Sequence, residues 1–271
     1  MGHLKLYTYP NGSQVLPVSK NTIQSDFVGY FLCLKGSAEL LVDMKKYVLK
    51  EGSICVVLPY STISVESHSP DLQGLGITTD PQILDSLKIP NVGSYFLGVK
   101  NCPVVDVANN EADSLYELSM LIIKKQKQKN INFHQHIVHS LTVALCYEIA
   151  SYYQKYSTSI ENSYTRQDDI FRNFINLVYK NFKENRSLEF YANKMFLTTR
   201  YLSSVIKQKT GTPASHWVTA MVITEAKNLL KNSNLSVQQI AIELNFPNAS
   251  FFGQYFRKYA GCTPNDYRRN R

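Results

Sequence analysis

The sequence predicts an α+β chain of two domains: a strand-rich half closed by a helical hairpin, then an all-α half. Three observations carry this. Short apolar and aromatic runs broken by turn residues fill the first ~105 residues. A helical period begins near Glu111. An imperfect repeat of about fifty residues occupies the C-terminal part. A length of 271 residues fits two modest domains, and 44% hydrophobic with 18% charged residues excludes disorder along the whole chain. No apolar run approaches the ~20 residues of a membrane span. Met1 to Pro10 lacks the apolar core of a signal peptide.

The strands come first. Tyr30–Leu34 is apolar, and Lys35-Gly36-Ser37 turns it. Ala38–Val42 follows, then a turn at Asp43–Lys46, then Tyr47–Leu49 and Gly52. Ser53–Leu58 ends at Pro59, and Thr62–Glu66 alternates apolar with polar residues. Short strands at this spacing predict a sandwich or barrel. Leu115, Leu118 and Ile122 then fall at helical spacing. A second helix is expected from about Asn132 to Tyr156, with Val138, Leu141, Leu145 and Ile149 along one face. The two helices read as a hairpin whose apolar seam serves dimerisation. The expected boundaries are residues 1–156 for the first domain, a polar linker over 157–168, and 169–271 for the second.

The repeat aligns Ser187–Pro213 with Ser236–Pro264. Ala192 matches Ala241 at an offset of 49, whereas Gly211 matches Gly261 at 50, so the second copy has one more residue in its turn. Each copy has helix-turn-helix logic. Ser187 and Ser236 cap first helices, Ala192 and Ala241 permit close helix approach, and Gly211 and Gly261 end second helices. The inward faces are Leu202, Val205 and Ile206 in the first copy, and Phe252, Tyr255, Phe256 and Tyr259 in the second.

Charge is divided unequally. Residues 1–160 hold 13 Lys, no Arg and 13 acidic residues; residues 161–271 hold 8 Lys, 8 Arg and 8 acidic residues. The whole net charge of +8 therefore lies in the last 111 residues, which points to a polyanion as partner. The outward positions of the second helices are then candidate DNA contacts. In the first copy they are Thr198, Thr199, Arg200, Ser203, Ser204 and Lys207; in the second, Asn248, Ser250, Gly253, Gln254, Arg257 and Lys258. Arg200 is suited to guanine through two parallel hydrogen bonds, and Gln254 to adenine. Thr198 and Thr199 suit a phosphate at a helix N-terminus, and Arg257 or Lys258 a phosphate further along.

Asn245-Phe246-Pro247-Asn248-Ala249-Ser250-Phe251-Phe252, then Phe256-Arg257-Lys258 and Gly261-Cys262-Thr263-Pro264-Asn265-Asp266-Tyr267-Arg268, resembles the signature of AraC/XylS-type transcription regulators. The resemblance covers about a hundred C-terminal residues. Asn245 stands where that family usually has Gly, and Asn tolerates left-handed backbone angles. The resemblance implies seven helices in the second domain, with two helix-turn-helix units joined by a long helix over Ala214–Lys231. It implies that the first domain is a cupin-like sensory module. The implied function is a cytoplasmic, sequence-specific, dimeric regulator reading as an activator. Its partners would be double-stranded promoter DNA, RNA polymerase and a small-molecule effector whose pocket the sequence does not locate.

Other chemistry finds little support. The five cysteines are scattered without a CxxC, which argues against a disulfide framework or a zinc ribbon and for a reducing compartment. The strand region holds only His3 and His68, too few for a metal-dependent cupin enzyme. His134, His136 and His139 read as polar decoration of a helix start. Neither a nucleophile elbow nor a phosphate loop occurs. The expectation is therefore no enzyme and no cofactor. The alternative is a metal-free small-molecule-binding module whose basic helical half is only an interaction surface.

Overall fold

The structure, a computed structural model, describes residues 4–9, 23–25, 27–59, 61–80, 83–84, 87, 89, 92–128, 130–160 and 165–269. The chain divides near residue 163 into two compact units.

The first unit carries strands β1 (Lys5–Tyr9), β2 (Ile23–Gln24), β3 (Val28–Lys35), β4 (Ser37–Val42), β5 (Lys45–Lys50), β6 (Ser53–Val57), β7 (Thr62–His68) and β8 (Gln73–Thr79). Helix α1 (Val92–Asn101), strand β9 (Val104–Asp106) and helices α2 (Asn109–Lys127) and α3 (His134–Ile160) follow. Two antiparallel sheets form, ordered β1-β8-β3-β6-β9 and β2-β7-β4-β5. Phe31, Cys33, Cys55 and Val57 of one sheet join Ala38, Leu40, Val42, Leu49 and Val65 of the other in one buried core. All five strands read from the sequence are present. Strand β8, an inner strand between β1 and β3, has a weak signal because it carries Gly74 and Gly76. Gly74 is there for packing: a Cβ would lie 2.1 Å from Cζ of Phe31. The β4–β5 turn puts both Asp43 (φ 49°) and Met44 (φ 64°) in left-handed backbone, as a two-residue hairpin requires. Asp43 holds this turn by accepting from the Thr62 N–H (2.9 Å) and pairing with the buried Lys100 ammonium (2.7 Å).

Helices α2 and α3 form the expected hairpin, but the expected dimer seam is internal. Val138, Leu145 and Ile149 are buried within the unit, and Leu141 is half-buried. That face of α3 packs within its own unit, α2 included, and Leu141 is its only member that keeps partial exposure. Tyr30 of β3 reaches the Ser119 hydroxyl of α2, and the Tyr153 hydroxyl of α3 donates to the Pro103 carbonyl (3.0 Å).

The second unit contains seven helices among the described residues: α4 (Arg166–Asn181), α5 (Leu188–Lys194), α6 (Thr199–Thr210), α7 (Ala214–Asn232), α8 (Val237–Glu243), α9 (Ala249–Ala260) and α10 (Pro264–Arg269). Most of the stretch expected as linker is helical. Helix α3 continues through Ile160, α4 starts at Arg166, and residues 161–164 lie outside the described set. The polar composition hid a capping box. Asp168 accepts from the Thr165 N–H (2.8 Å), and the Thr165 hydroxyl accepts from the Asp168 N–H (3.3 Å). Lys209 of α6 pairs with the same carboxylate, and together these donors hold it below the usual carboxylate range despite burial.

Candidate nucleic-acid interface

Each copy is built by the same local rules. In the first, the Ser187 hydroxyl accepts from the Glu189 N–H (3.2 Å) and starts α5. In the second, the Ser236 hydroxyl accepts from the Gln239 N–H (3.1 Å), and Gln239 returns a bond to the Ser236 N–H (2.8 Å). Ala192 and Ala241 have no exposed surface, as expected for small residues at a helix crossing. Both first helices end on a left-handed residue, Phe196 (φ 56°) and Asn245 (φ 53°). The next N–H then reaches back five residues, Leu197 to the Ala192 carbonyl (2.9 Å) and Phe246 to the Ala241 carbonyl (2.8 Å). Up to this point the offset is 49.

The second helices are capped by Thr198 and Asn248, at an offset of 50. The extra residue is thus Pro247, between Phe246 and the cap. Helices α6 and α9 each have twelve residues and end at Gly211 (φ 73°) and Gly261 (φ 78°). Leu202, Val205 and Ile206 are buried under α6; Phe252 and Phe256 are buried under α9. Tyr255 is half-buried, and burial pushes its phenol up from its ordinary value. Tyr259, expected inward, is 43% exposed, with its ring 4.8 Å from that of Tyr255. It is the last residue but one of α9, where the core face runs past its neighbours.

The candidate contacts occupy the opposite faces. Thr198, Thr199, Arg200, Ser204 and Lys207 are exposed, and Ser203 is half-buried. Asn248, Ser250, Gln254, Arg257 and Lys258 are exposed, and Gly253 is half-buried. Two of them also do local work. The Thr198 hydroxyl accepts from the Tyr201 N–H (3.2 Å), and it keeps its own proton to donate. The Asn248 side-chain oxygen accepts from Ser250 and Phe251 (3.0 Å each), so only its amide N–H groups remain to donate. Lys258 leans over the Tyr259 ring at 5.2 Å.

Three features escaped the sequence reading. Arg186, before α5, donates to the Leu244 carbonyl (2.6 Å) and the Asn245 carbonyl (2.8 Å), and its guanidinium lies 4.0 Å over the Phe246 ring. The Asn245 amide donates to the Glu184 carbonyl (3.0 Å). The entry to the first copy thereby straps the turn of the second, and no spacing rule announces a contact across about sixty residues. Tyr201 and Phe251 are exposed at equivalent places on α6 and α9; aligning the second helices at the offset of 50 pairs them. Phe196 is 96% exposed. Helix α7 joins the copies and is seated by Trp217, whose ring meets Phe171 edge-on at 5.7 Å. Arg268 of α10 donates to the Leu230 and Leu235 carbonyls and fixes the exit of α7. Among the described residues, no group of three or more His, Cys, Asp or Glu is placed to hold a metal, and no helix is long and apolar enough to cross a membrane.

A family described as a helix-turn-helix domain matches residues 191–270. The chain is similar to the uncharacterized HTH-type transcriptional regulator YdiP of Escherichia coli K12, at 24% identity over 241 residues covering 87% of this chain and 76% of that protein. It is similar to the HTH-type transcriptional activator RhaR of Yersinia pseudotuberculosis, at 33% identity over 78 residues, 29% of this chain and 27% of the relative. Among solved structures, the C-terminal domain of AraT, a response regulator from Geobacillus stearothermophilus, is 30% identical. That match covers 40% of this chain and 89% of the other, at a TM-score of 0.37. The chain thus spans about three quarters of the E. coli relative and about a quarter of the Yersinia one. A capped pair of helix-turn-helix units on one connector defines a DNA-binding transcription regulator. The C-terminal part of the chain thus carries a helix-turn-helix domain, and its signature over residues 245–268 is similar to that of AraC/XylS-type regulators.

Proposed function

We propose that this protein reads double-stranded promoter DNA with α6 and α9 and acts as an activator that contacts RNA polymerase in the cytoplasm. A small-molecule effector acting on the N-terminal unit, read as a cupin-like sensor, sets its activity. One observation carries the reading: two helices with the same capping, length and exit each turn a polar and basic face outward, and both belong to one unit. The nineteen residues of α7 span about 28 Å at ~1.5 Å per residue. That length is close to the ~34 Å between successive major grooves on one face of DNA. Thr198, Thr199, Arg257 and Lys258 then hold phosphates, while Arg200, Ser203, Ser204, Asn248, Ser250 and Gln254 face base edges and Lys207 flanks them. The protein acts as a homodimer. With the α3 face internal, the apolar residues that α2 leaves in water, Tyr116 and Met120 one turn apart, supply surface for a second copy.

The test is affinity of the full chain for a saturated single-base library at several salt concentrations. Arg200→Ala should cost about 1–3 kcal/mol on the preferred site and relax preference at one base pair. Lys258→Ala should weaken preferred and random DNA alike and lower the salt slope by about one unit. A folded chain that prefers no DNA over heparin would overturn the reading.

A further inference from the structure

We propose that Tyr201 and Phe251 are a matched pair of thymine readers, each ring meeting the 5-methyl group of a thymine in its own stretch of major groove. The inference deepens the proposed DNA reading and rests on it. Both residues are third in their helices, three after the caps Thr198 and Asn248. Both leave an aromatic ring in water, Tyr201 at 41% and Phe251 at 59% exposure, while the next residues, Leu202 and Phe252, are completely buried. A single exposed ring on a protein surface carries no message. Here the same kind of ring recurs at the same place in two copies whose cores otherwise differ, one aliphatic and one aromatic. Packing inside the unit therefore does not account for the repetition.

The caps aim these rings. The N–H of Tyr201 is received by the Thr198 hydroxyl, and that of Phe251 by the Asn248 side-chain oxygen. Their backbone is pinned at the point where a recognition helix enters the groove. Side chains of a helix lean toward its N-terminus, so a first-turn ring projects ahead of the helix. Three residues on, and beside the rings on the helix surface, lie the exposed Ser204 and Gln254. Seven residues on lie Gln208 and Lys258. With Arg200, Lys207 and Arg257 around them, the rings are apolar islands in a polar and basic face, and a polyanion is the partner that face suits. The apolar group that the major groove offers is the thymine methyl. Phe251 has no polar atom and can discriminate by that methyl alone. Tyr201 adds a hydroxyl, so its preference should be the weaker of the two.

The experiment uses the full chain. A preferred site is first selected from random duplex DNA, and each thymine in it is then replaced singly by deoxyuridine, which lacks only the methyl. For the native protein, at least one position near each recognition helix should lose about three- to tenfold in affinity. Phe251→Ala, shown folded by circular dichroism, should lose a similar factor on the thymine site and become indifferent to deoxyuridine at its position. Phe251→Leu, still apolar, should keep the methyl dependence, and 5-methylcytosine in place of cytosine there should restore part of what a T-to-C change removes. A site with no methyl-sensitive thymine, or Phe251→Ala retaining full methyl sensitivity, overturns the proposal while leaving DNA reading intact. If the folded chain selects no sequence at all, the parent reading falls and takes this one with it.

Discussion

The two helix-turn-helix copies share a backbone and the residues that punctuate it, but not the side chains that fill their cores. Their first helices begin on serine caps, cross on a buried alanine and end on a left-handed residue; their second helices have equal length and glycine exits. Yet the first copy packs its second helix through Leu202, Val205 and Ile206, and the second through Phe252, Tyr255 and Phe256, extended by Phe246 and Tyr267. The left-handed position holds an almost fully exposed Phe196 in one copy and an Asn245 bonded to Glu184 in the other. The difference teaches that caps, small residues and C-terminal glycines define the motif, while the core can be filled by aliphatic side chains in one copy and by larger aromatic ones in the other.

The comparison can first be strained at its core. Phe256→Ala removes a completely buried ring that touches Phe252 and Tyr267, and should destabilise the C-terminal unit by about 3–5 kcal/mol. Ile206→Ala, its equivalent, should cost about 2–4 kcal/mol, since fewer atoms leave. Trp217 is the single tryptophan, so its fluorescence during urea unfolding of the full chain reports on this unit alone. Equal losses at both sites would mean that the aromatic cluster adds nothing beyond its volume.

A smaller effect probes the asymmetry of support. Arg186 clamps two carbonyls of the second turn, and nothing among the described contacts does the same for the first. Charge-assisted hydrogen bonds are worth about 1.5–3 kcal/mol, so Arg186→Ala should destabilise the unit by roughly that amount. The loss should be local. Amide exchange should quicken at Asn245 and Phe246 and stay unchanged at Phe196 and Leu197. Uniform acceleration in both turns would show that Arg186 supports the unit as a whole and not one copy.

What the sequence made legible follows the same division. Caps, glycine exits, the paired alanines and the single-residue insertion are local signals, and the structure places each where spacing put it. The outward residues were legible because the inward ones have helical period. Contacts without a period were not. Arg186 reaches Leu244 across 58 positions, and Gly74 has meaning only beneath Phe31. The α3 face was read with the right period and the wrong neighbour, because Val138, Leu145 and Ile149 look the same whether a helix of their own chain or of another covers them.

The finest distinction between the copies is one hydroxymethyl group. Ser203 and Gly253 are equivalent, half-buried and inside a helix, where glycine is costly. Nothing in the protein asks for glycine at 253: an added Cβ would meet no atom within 4 Å. Gly253→Ala should therefore stabilise the unit by about 0.5–1 kcal/mol, by restricting the unfolded chain and favouring helix. Ser203→Ala should raise stability by roughly half a kcal/mol through propensity alone. If α9 sits closer to DNA than α6, the empty place at Gly253 is occupied by the duplex. The more stable Gly253→Ala should then bind its preferred site several-fold more weakly, while Ser203→Ala shows no such opposition. Thermal unfolding by Trp217 fluorescence, paired with binding to the selected site, measures both quantities on the same protein. A Gly253→Ala variant that gains stability and keeps its full affinity would remove Gly253 from the interface and leave the two copies equally distant from DNA.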